Sequence, residues 1–195
     1  MNRIKIILAS SSPRRIELLK LNNIPFSIIK HKIDEKKVVK RLKIKEPINI
    51  AQLIAFNKAS SVAGNIKEGL VLGADTIVVA KGKILGKPVS GKDAIRILKI
   101  LSGTTHTVIT AMAFIDAKNG KKLITHELSF VTFKKINLNQ IKNYIKNNHV
   151  LDKAGAYAIQ EGADPFIKRI RGSYYNVVGL PMEKFKYIYK NWKKL

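Results

Sequence analysis

Apolar residues along this chain follow two rhythms. Short continuous runs predict buried strands, and runs with apolar positions three and four apart predict amphipathic helices. Ile4 to Ala9 is a run of the first kind. Ser12-Pro13 then opens a helix, since serine is a good N-cap and proline suits the first helical position. That helix is expected to carry Ile16, Leu18, Leu19 and Leu21 toward a core. Phe26 to Ile29 predicts a second short strand. Pro47 to about Ala63 has helical spacing through Ile50, Leu53, Ile54 and Ala59. Leu70 to Leu72 predicts a strand ending at "GADT", followed by a hairpin of Ile77 to Ala80 and Ile84-Leu85 around "KGK".

Lys92 to Leu101 predicts a further helix. His106 to Ile115 and Leu123 to Phe133 predict long strands around the turn signal "KNGK". Asn137 begins a helix to about Lys146, with Ile141 and Ile145 on one face. The last third reads as irregular until "LPMEKFKYIYKNW", a terminal helix. Strands and helices mix throughout, without a repeat or a low-complexity linker. This predicts α/β architecture in one domain over residues 1–195.

Composition narrows the function classes. The chain has 195 residues, enough for one good core, and no cysteine, which excludes disulfides and Cys-based zinc sites. No apolar run reaches the ~18 residues of a bilayer span. The apolar part of the opening stretch is too short for a signal peptide and no small-residue cleavage site follows, so a cytoplasmic protein is expected. The formal net charge is +24. Such a charge suits a nucleic acid or another polyanion. Against that, the lysines are scattered and aromatics do not interleave with them as a stacking platform would require. A basic surface still steers anionic substrates.

Several short stretches carry candidate chemistry. In "LASSSPRRIELL" a strand leads through serines into a helix N-terminus, where backbone amides and the helix dipole favour an anion. Ser10 and Ser12 offer hydroxyls, and Arg14 or Arg15 offers a bidentate phosphate contact. The competing reading is an N-cap followed by solvated arginines. Asp75, in "LGADTIVV", is placed where a strand stops, a position that faces the ligand crevice in α/β proteins. It would hold Mg²⁺ or orient a water, or else cap a turn. Glu35 in "IDEKK" reads as either a second site carboxylate or a solvated loop charge. Lys58 in "AFNKAS" and Lys87 in "ILGKPV" are candidates for neutralising phosphoryl charge, or else surface lysines in a lysine-rich chain. In "DKAGAYAIQEG", Gln160 has both a donor and an acceptor, for a base edge or else for the backbone. His106 and Thr110 read as either catalytic or structural.

"LASSSPRRIELL", "GADTIVV", "GKP", "LSGTTHTVITA", "KAGAYAIQ" and "GSYYNVVGLP", in this order, resemble the Maf family of nucleotide pyrophosphatases from Ile7 to about Pro181. The resemblance implies an elongated mixed-sheet fold like that of the inosine triphosphate pyrophosphatases, with two lobes and a central cleft. It implies hydrolysis of a nucleoside triphosphate to the monophosphate and pyrophosphate. It also implies a divalent metal cation, Mg²⁺ first with Mn²⁺ or Co²⁺ as alternatives, and a homodimer. The family's phosphate loop falls on Ser10, Ser12, Arg14 and Arg15, and its catalytic acid on Asp75. Its glutamate and lysines fall on Glu35, Lys58 and Lys87, with Glu35 and Asp75 as metal ligands.

Arg14, Thr76 and Gln160 match the residues of the members similar to dTTP/UTP pyrophosphatases. The 7-methyl-GTP branch instead tends to have Gln after the Asp and lacks "AYAIQ". Ala158, where a glycine is usual, and "QEGADPF", where a more glycine-rich stretch is usual, depart from the pattern. The alternative function is a basic nucleic-acid-binding protein without pyrophosphatase activity. It rests on charge alone.

Overall fold

The computed structural model describes residues 4–35, 37–38 and 45–195. β1 (Ile6–Leu8) leads into α1 (Pro13–Leu21), and β2 (Phe26–Ile28) follows. α2 (Pro47–Ala63) precedes β3 (Leu70–Ala80), β4 (Lys83–Leu85) and α3 (Gly91–Leu101). β5 (Thr105–Asp116), β6 (Lys122–Phe133) and α4 (Leu138–Asn147) come next. After three short irregular helical turns come β7 (Ile167–Arg171), α5 (Tyr174–Val178) and α6 (Met182–Asn191). The strand order is β2-β1-β3-β5-β6-β7, with β4 paired to β3. β1 runs parallel to β2 and β3, whereas β3–β4 and β6–β7 are antiparallel. This is a mixed α/β fold, as the alternation of strand and helix patterns predicts.

The chain divides into two compact units, and β3, β5 and β6 each run from one into the other. The first unit comprises Met1–Asp75, Thr110–Glu127 and Gly179–Leu195. Its core holds Ile6, Leu8, Leu18, Leu19, Leu70 and Leu72. Phe114 joins it with ring contacts to Phe185 and Trp192. The second unit comprises Thr76–Ile109 and Leu128–Val178. Its core is built on Ile97, Leu98, Leu101, Phe133, Tyr157 and Phe166.

Local signals set most helix starts. Glu46 caps α2 by accepting from the Ile48 amide at 2.9 Å, with Pro47 in the first turn. Ser90 caps α3 by accepting from the Asp93 amide. Asn137 and Gln140 form a reciprocal capping box on α4. α1 has Ser12 at its N-cap, but that side chain accepts no cap hydrogen bond.

Three expectations need correction. Leu21 is 68 % exposed, because the buried stripe of α1 runs through Arg15, Leu18 and Leu19 and Leu21 lies off it. The irregular last third contains an additional strand, β7, and the short helix α5. Most importantly, β3 does not stop at "GADT" but continues to Ala80, so Asp75 lies inside a strand.

The glycine that suggested a break has a packing cause instead. A Cβ on Gly73 would lie 2.2 Å from the Ala55 carbonyl oxygen and 2.7 Å from the Ala59 amide nitrogen. α2 therefore lies directly against β3 at this point. Gly73→Ala would push helix from strand, and both obstructing atoms are backbone. We expect a loss of about 3 kcal/mol, the upper end for overpacking, read from the urea midpoint. An unchanged midpoint would mean that helix and strand are not in close contact there.

Candidate functional site

The contact at Gly73 brings an ion cluster together. Lys58 follows Asn57 on α2 and is next to Ala59, one of the residues that meets Gly73. Asp75 is two residues beyond Gly73 and so points to the same side of β3. The Lys58 ammonium donates to Asp75 Oδ1 at 2.7 Å and lies 2.8 Å from Glu35 Oε1. A longer contact of 3.4 Å reaches the Ala74 carbonyl. Lys58 and Asp75 are buried, at 4 % and 7 % exposure, while the Glu35 side chain keeps about a third of its surface. One cation is thus enclosed by two carboxylates, one deep and one partly open.

Asp75 feels opposing influences. Burial is the largest and pushes its pKa up. The charge and hydrogen bond of Lys58 push it down, Glu35 pushes it up, and Arg15 pushes it down. The net shift is upward, which makes this carboxylate a stronger base than a solvated one.

The serine loop is organised from inside by Arg15. This residue is 8 % exposed, although it belongs to a segment read as a possible anion cradle. Its Nε donates to the Gly179 carbonyl at 2.8 Å and its Nη1 to Ser10 Oγ at 3.3 Å. Ser10 Oγ also accepts from the Ser12 amide at 3.2 Å. Ser10 is therefore buried and accepts two bonds, while its own O–H stays a donor. Burial pulls the Arg15 pKa down, Asp75 opposes this, Arg14 adds to it, and Glu35 opposes it. Loop and ion cluster thus share one electrostatic field within the first unit. Arg14 is half-buried, Ser11 is exposed and Ser12 is half-buried.

Thr76, Lys87 and Gln160 belong to the second unit. Thr76 is half-buried and follows Asp75 on β3. Lys87 is exposed just after β4. With Lys81, Lys83, Asp93 and Arg96 it lines an open cavity of about 410 Å³. Gln160 is exposed, although Ile159 and Ala163 on either side are buried.

His106 resolves to the structural alternative. Its Nε2 lies 2.8 Å from the Tyr157 hydroxyl, and its ring packs edge-on against Phe133. Burial pushes its pKa down to about 4, so it is neutral at ordinary pH. Thr110 is fully buried in β5.

A sequence model described as "Maf-like protein" matches residues 5–192, nearly the whole chain. The chain belongs to the Maf family. Among its Maf relatives is a protein of Ruminiclostridium cellulolyticum named dTTP/UTP pyrophosphatase. It is 45 % identical over 179 residues, which cover 92 % of this chain and 91 % of the relative. A protein of Moorella thermoacetica with the same name is 45 % identical over 91 % of this chain and 90 % of its own length. A third so named, from Clostridioides difficile, is 42 % identical over 97 % of this chain and 95 % of its own. Among the described residues no helix is long and apolar enough to cross a membrane.

Two features of this Maf chain escaped the sequence reading. One is the tie from Arg15 to Gly179, which lies in the "GSYYNVVGLP" motif. Nothing local signals it, because the partners are 164 residues apart. The other is Lys153, 2 % exposed and enclosed by Asp152 and Glu161. Its signal is available: an ionisable residue in the largely small and apolar stretch "DKAGAYAIQE" with an acid at each end.

Proposed function

We propose that this protein is a nucleoside triphosphate pyrophosphatase that hydrolyses dTTP and UTP to the monophosphate and pyrophosphate. The observation that carries this reading is the enclosed Glu35–Lys58–Asp75 cluster beside the Arg15-organised serine loop, in a chain whose full-length relatives are named for that activity. In this reading Ser10, Ser12, Arg14 and Arg15 hold the triphosphate. Lys87, Thr76 and Gln160 join through the motifs that carry them: Lys87 neutralises phosphoryl charge, and Thr76 and Gln160 read the pyrimidine. One catalytic domain over 1–195, a homodimer and a cytoplasmic location belong to the same proposal, on the family resemblance.

A divalent cation fits the residues present. Asp75 Oδ1 and Glu35 Oε1 already converge on a single positive charge. Among the described residues no cluster of three or more His, Cys, Asp or Glu ligands exists. Mg²⁺ needs no such cluster, because it takes one or two carboxylates and completes its shell with water and substrate phosphates. When bound by Glu35 and Asp75 it supplies Lewis-acid polarisation of the phosphoryl group.

The chain's own residues do the rest. Asp75, held by Lys58 and made more basic by burial, accepts a proton from the attacking water. The water oxygen bonds to the α-phosphorus as the bridging bond to the β-phosphate breaks. Arginine and lysine charges stabilise the pyrophosphate as it leaves, so positioning and electrostatics supply most of the rate.

The deciding experiment incubates the purified protein with Mg²⁺ and a panel of nucleoside triphosphates and measures pyrophosphate. Release from dTTP and UTP supports the reading. Release of inorganic phosphate would place the cleavage at another bond, and no release with salt-sensitive DNA binding would favour the nucleic-acid alternative.

A second expectation concerns the base. Gln160→Ala should lower the dTTP-to-GTP preference in kcat/KM by about tenfold, since the base edge loses its hydrogen-bond partner. Stability should stay within ~0.5 kcal/mol, because the side chain is exposed. An unchanged preference removes Gln160 from recognition.

A further inference from the structure

The segment from Asp152 to Ala163 has an unusual backbone. Gly155, Ala156 and Gly162 all have positive φ, and its helical turns are short and kinked. Hydrogen bonds along a regular element do not hold such a segment in one shape, so other contacts must. Tyr144 holds the middle through the Ala158 amide at 3.2 Å, and Lys153 ties the two ends. Its ammonium donates to Asp152 Oδ1 at 2.9 Å, to Glu161 Oε2 at 2.8 Å and to the His149 carbonyl oxygen. Three donors meet three acceptors, and the side chain is 3 % exposed. One bond reaches back to His149, two residues past the end of α4, one stays local, and one crosses toward the far end of the segment.

Glu161 directly follows Gln160. With Ile159 and Ala163 buried and Glu161 tied to Lys153, the backbone on both sides of Gln160 is fixed while its amide stays exposed. The same segment reaches the turn that carries Lys87: the Gly155 amide donates to the Gly86 carbonyl at 3.2 Å. No Cβ fits comfortably on Gly155, since Val78 Cγ2 would lie 3.0 Å away.

We propose that Lys153 is a positioning residue for base selection. By joining the two ends of the 152–163 segment it holds Gln160 in the one conformation in which the amide reads the pyrimidine. The proposal rests on the reading of Gln160 given above. It adds that selectivity depends on a buried lysine and its two partly exposed acids, none of which touches the nucleotide. Removing the tether leaves Gln160 present but unheld, so its hydrogen bonds to the base carry an ordering cost.

The test compares Lys153→Met, Glu161→Ala, Glu161→Gln and Gln160→Ala, each checked for folding by circular dichroism and Tm. The readout is the ratio of kcat/KM for dTTP to that for GTP. Lys153→Met and Glu161→Ala should each lower the ratio by about tenfold, mostly through dTTP, approaching Gln160→Ala. Glu161→Gln keeps an acceptor for Lys153 and should stay within about twofold of the wild-type ratio. In the Gln160→Ala background, Glu161→Ala should change the ratio no further, as expected for residues acting in one chain of effect. A purely structural Lys153 would lower Tm and leave the ratio alone, and that result overturns the proposal. If Lys153→Met does not fold, Glu161→Ala decides, since Glu161 is partly exposed. If Gln160→Ala itself leaves the ratio unchanged, the base-reading role fails and this proposal falls with it. If Gln160→Ala flattens the ratio and the tether variants do not, only the proposal about Lys153 falls.

Discussion

Asp75→Asn should bind nucleotide with near-native affinity and lose pyrophosphate release by roughly a hundredfold to ten-thousandfold, the usual contribution of a positioned general base. The substitution preserves volume at a position that is 7 % exposed. The amide oxygen still accepts from Lys58, which lies 2.7 Å from Asp75 Oδ1. What disappears is the ability to take a proton and one of the two negative charges facing Lys58. Glu35 keeps its 2.8 Å pairing with the ammonium, so the pocket does not collapse. The check is steady-state pyrophosphate release from dTTP and UTP beside nucleotide binding by calorimetry. Full turnover in this variant would mean that another group takes the proton. Loss of binding in step with turnover would make Asp75 a binding residue and not the base.

Lys58→Met should be the most destabilising of the substitutions considered. Met matches the length of the lysine stem, so little packing is lost. The buried carboxylate of Asp75 and the half-open one of Glu35 would then lose the cation that pairs directly with both, with only the weaker influence of Arg15 left on Asp75. Breaking a buried ion pair by removing one partner costs about 3–5 kcal/mol, which for a domain of this size is roughly 10 °C in Tm. The pH dependence gives a second signature. Burial and Glu35 both raise the Asp75 pKa, and Lys58 is the largest influence holding it down. Without Lys58 the folded state binds a proton on Asp75 more readily than the unfolded chain does. Stability of the variant therefore rises as pH falls through the raised folded pKa and is lowest at neutral pH. The deficit against wild type should shrink on acidification. Adding Asp75→Asn should restore part of the lost Tm, since no buried charge is then left unpaired. A Tm fall of less than ~2 °C would show that the carboxylates do not depend on Lys58.

The failed strand boundary at "GADT" shows where sequence reading reaches its limit. Glycine followed by a carboxylate is a common end to a strand, and locally nothing argues otherwise. The run continues because Gly73 faces a helix backbone and needs no Cβ. Asp75 moves from a strand end to a buried position in mid-strand, and its chemistry changes with it. Arg15 makes the same point in reverse. As one of two adjacent arginines after a proline it looks solvated, yet it is buried and tied to Gly179. Lys58 was picked out as a cation for phosphate. The structure pairs it with two carboxylates, so its direct contacts are with Asp75 and Glu35.

By itself the sequence determined the strands and helices in order as far as α4, the terminal helix, and the motif series that marks the Maf family. These are local properties: apolar spacing, a proline in the first turn of α2, an asparagine three residues before a glutamine. Tertiary structure decided which motif residues share a charge cluster, which arginine is buried, and that Lys153 joins two ends of one segment. The first two depend on contacts between residues far apart in the chain and on a backbone approach that only a missing Cβ permits; the third depends on kinked turns at positive φ. A periodicity that repeats every two or every 3.6 residues carries no record of such contacts.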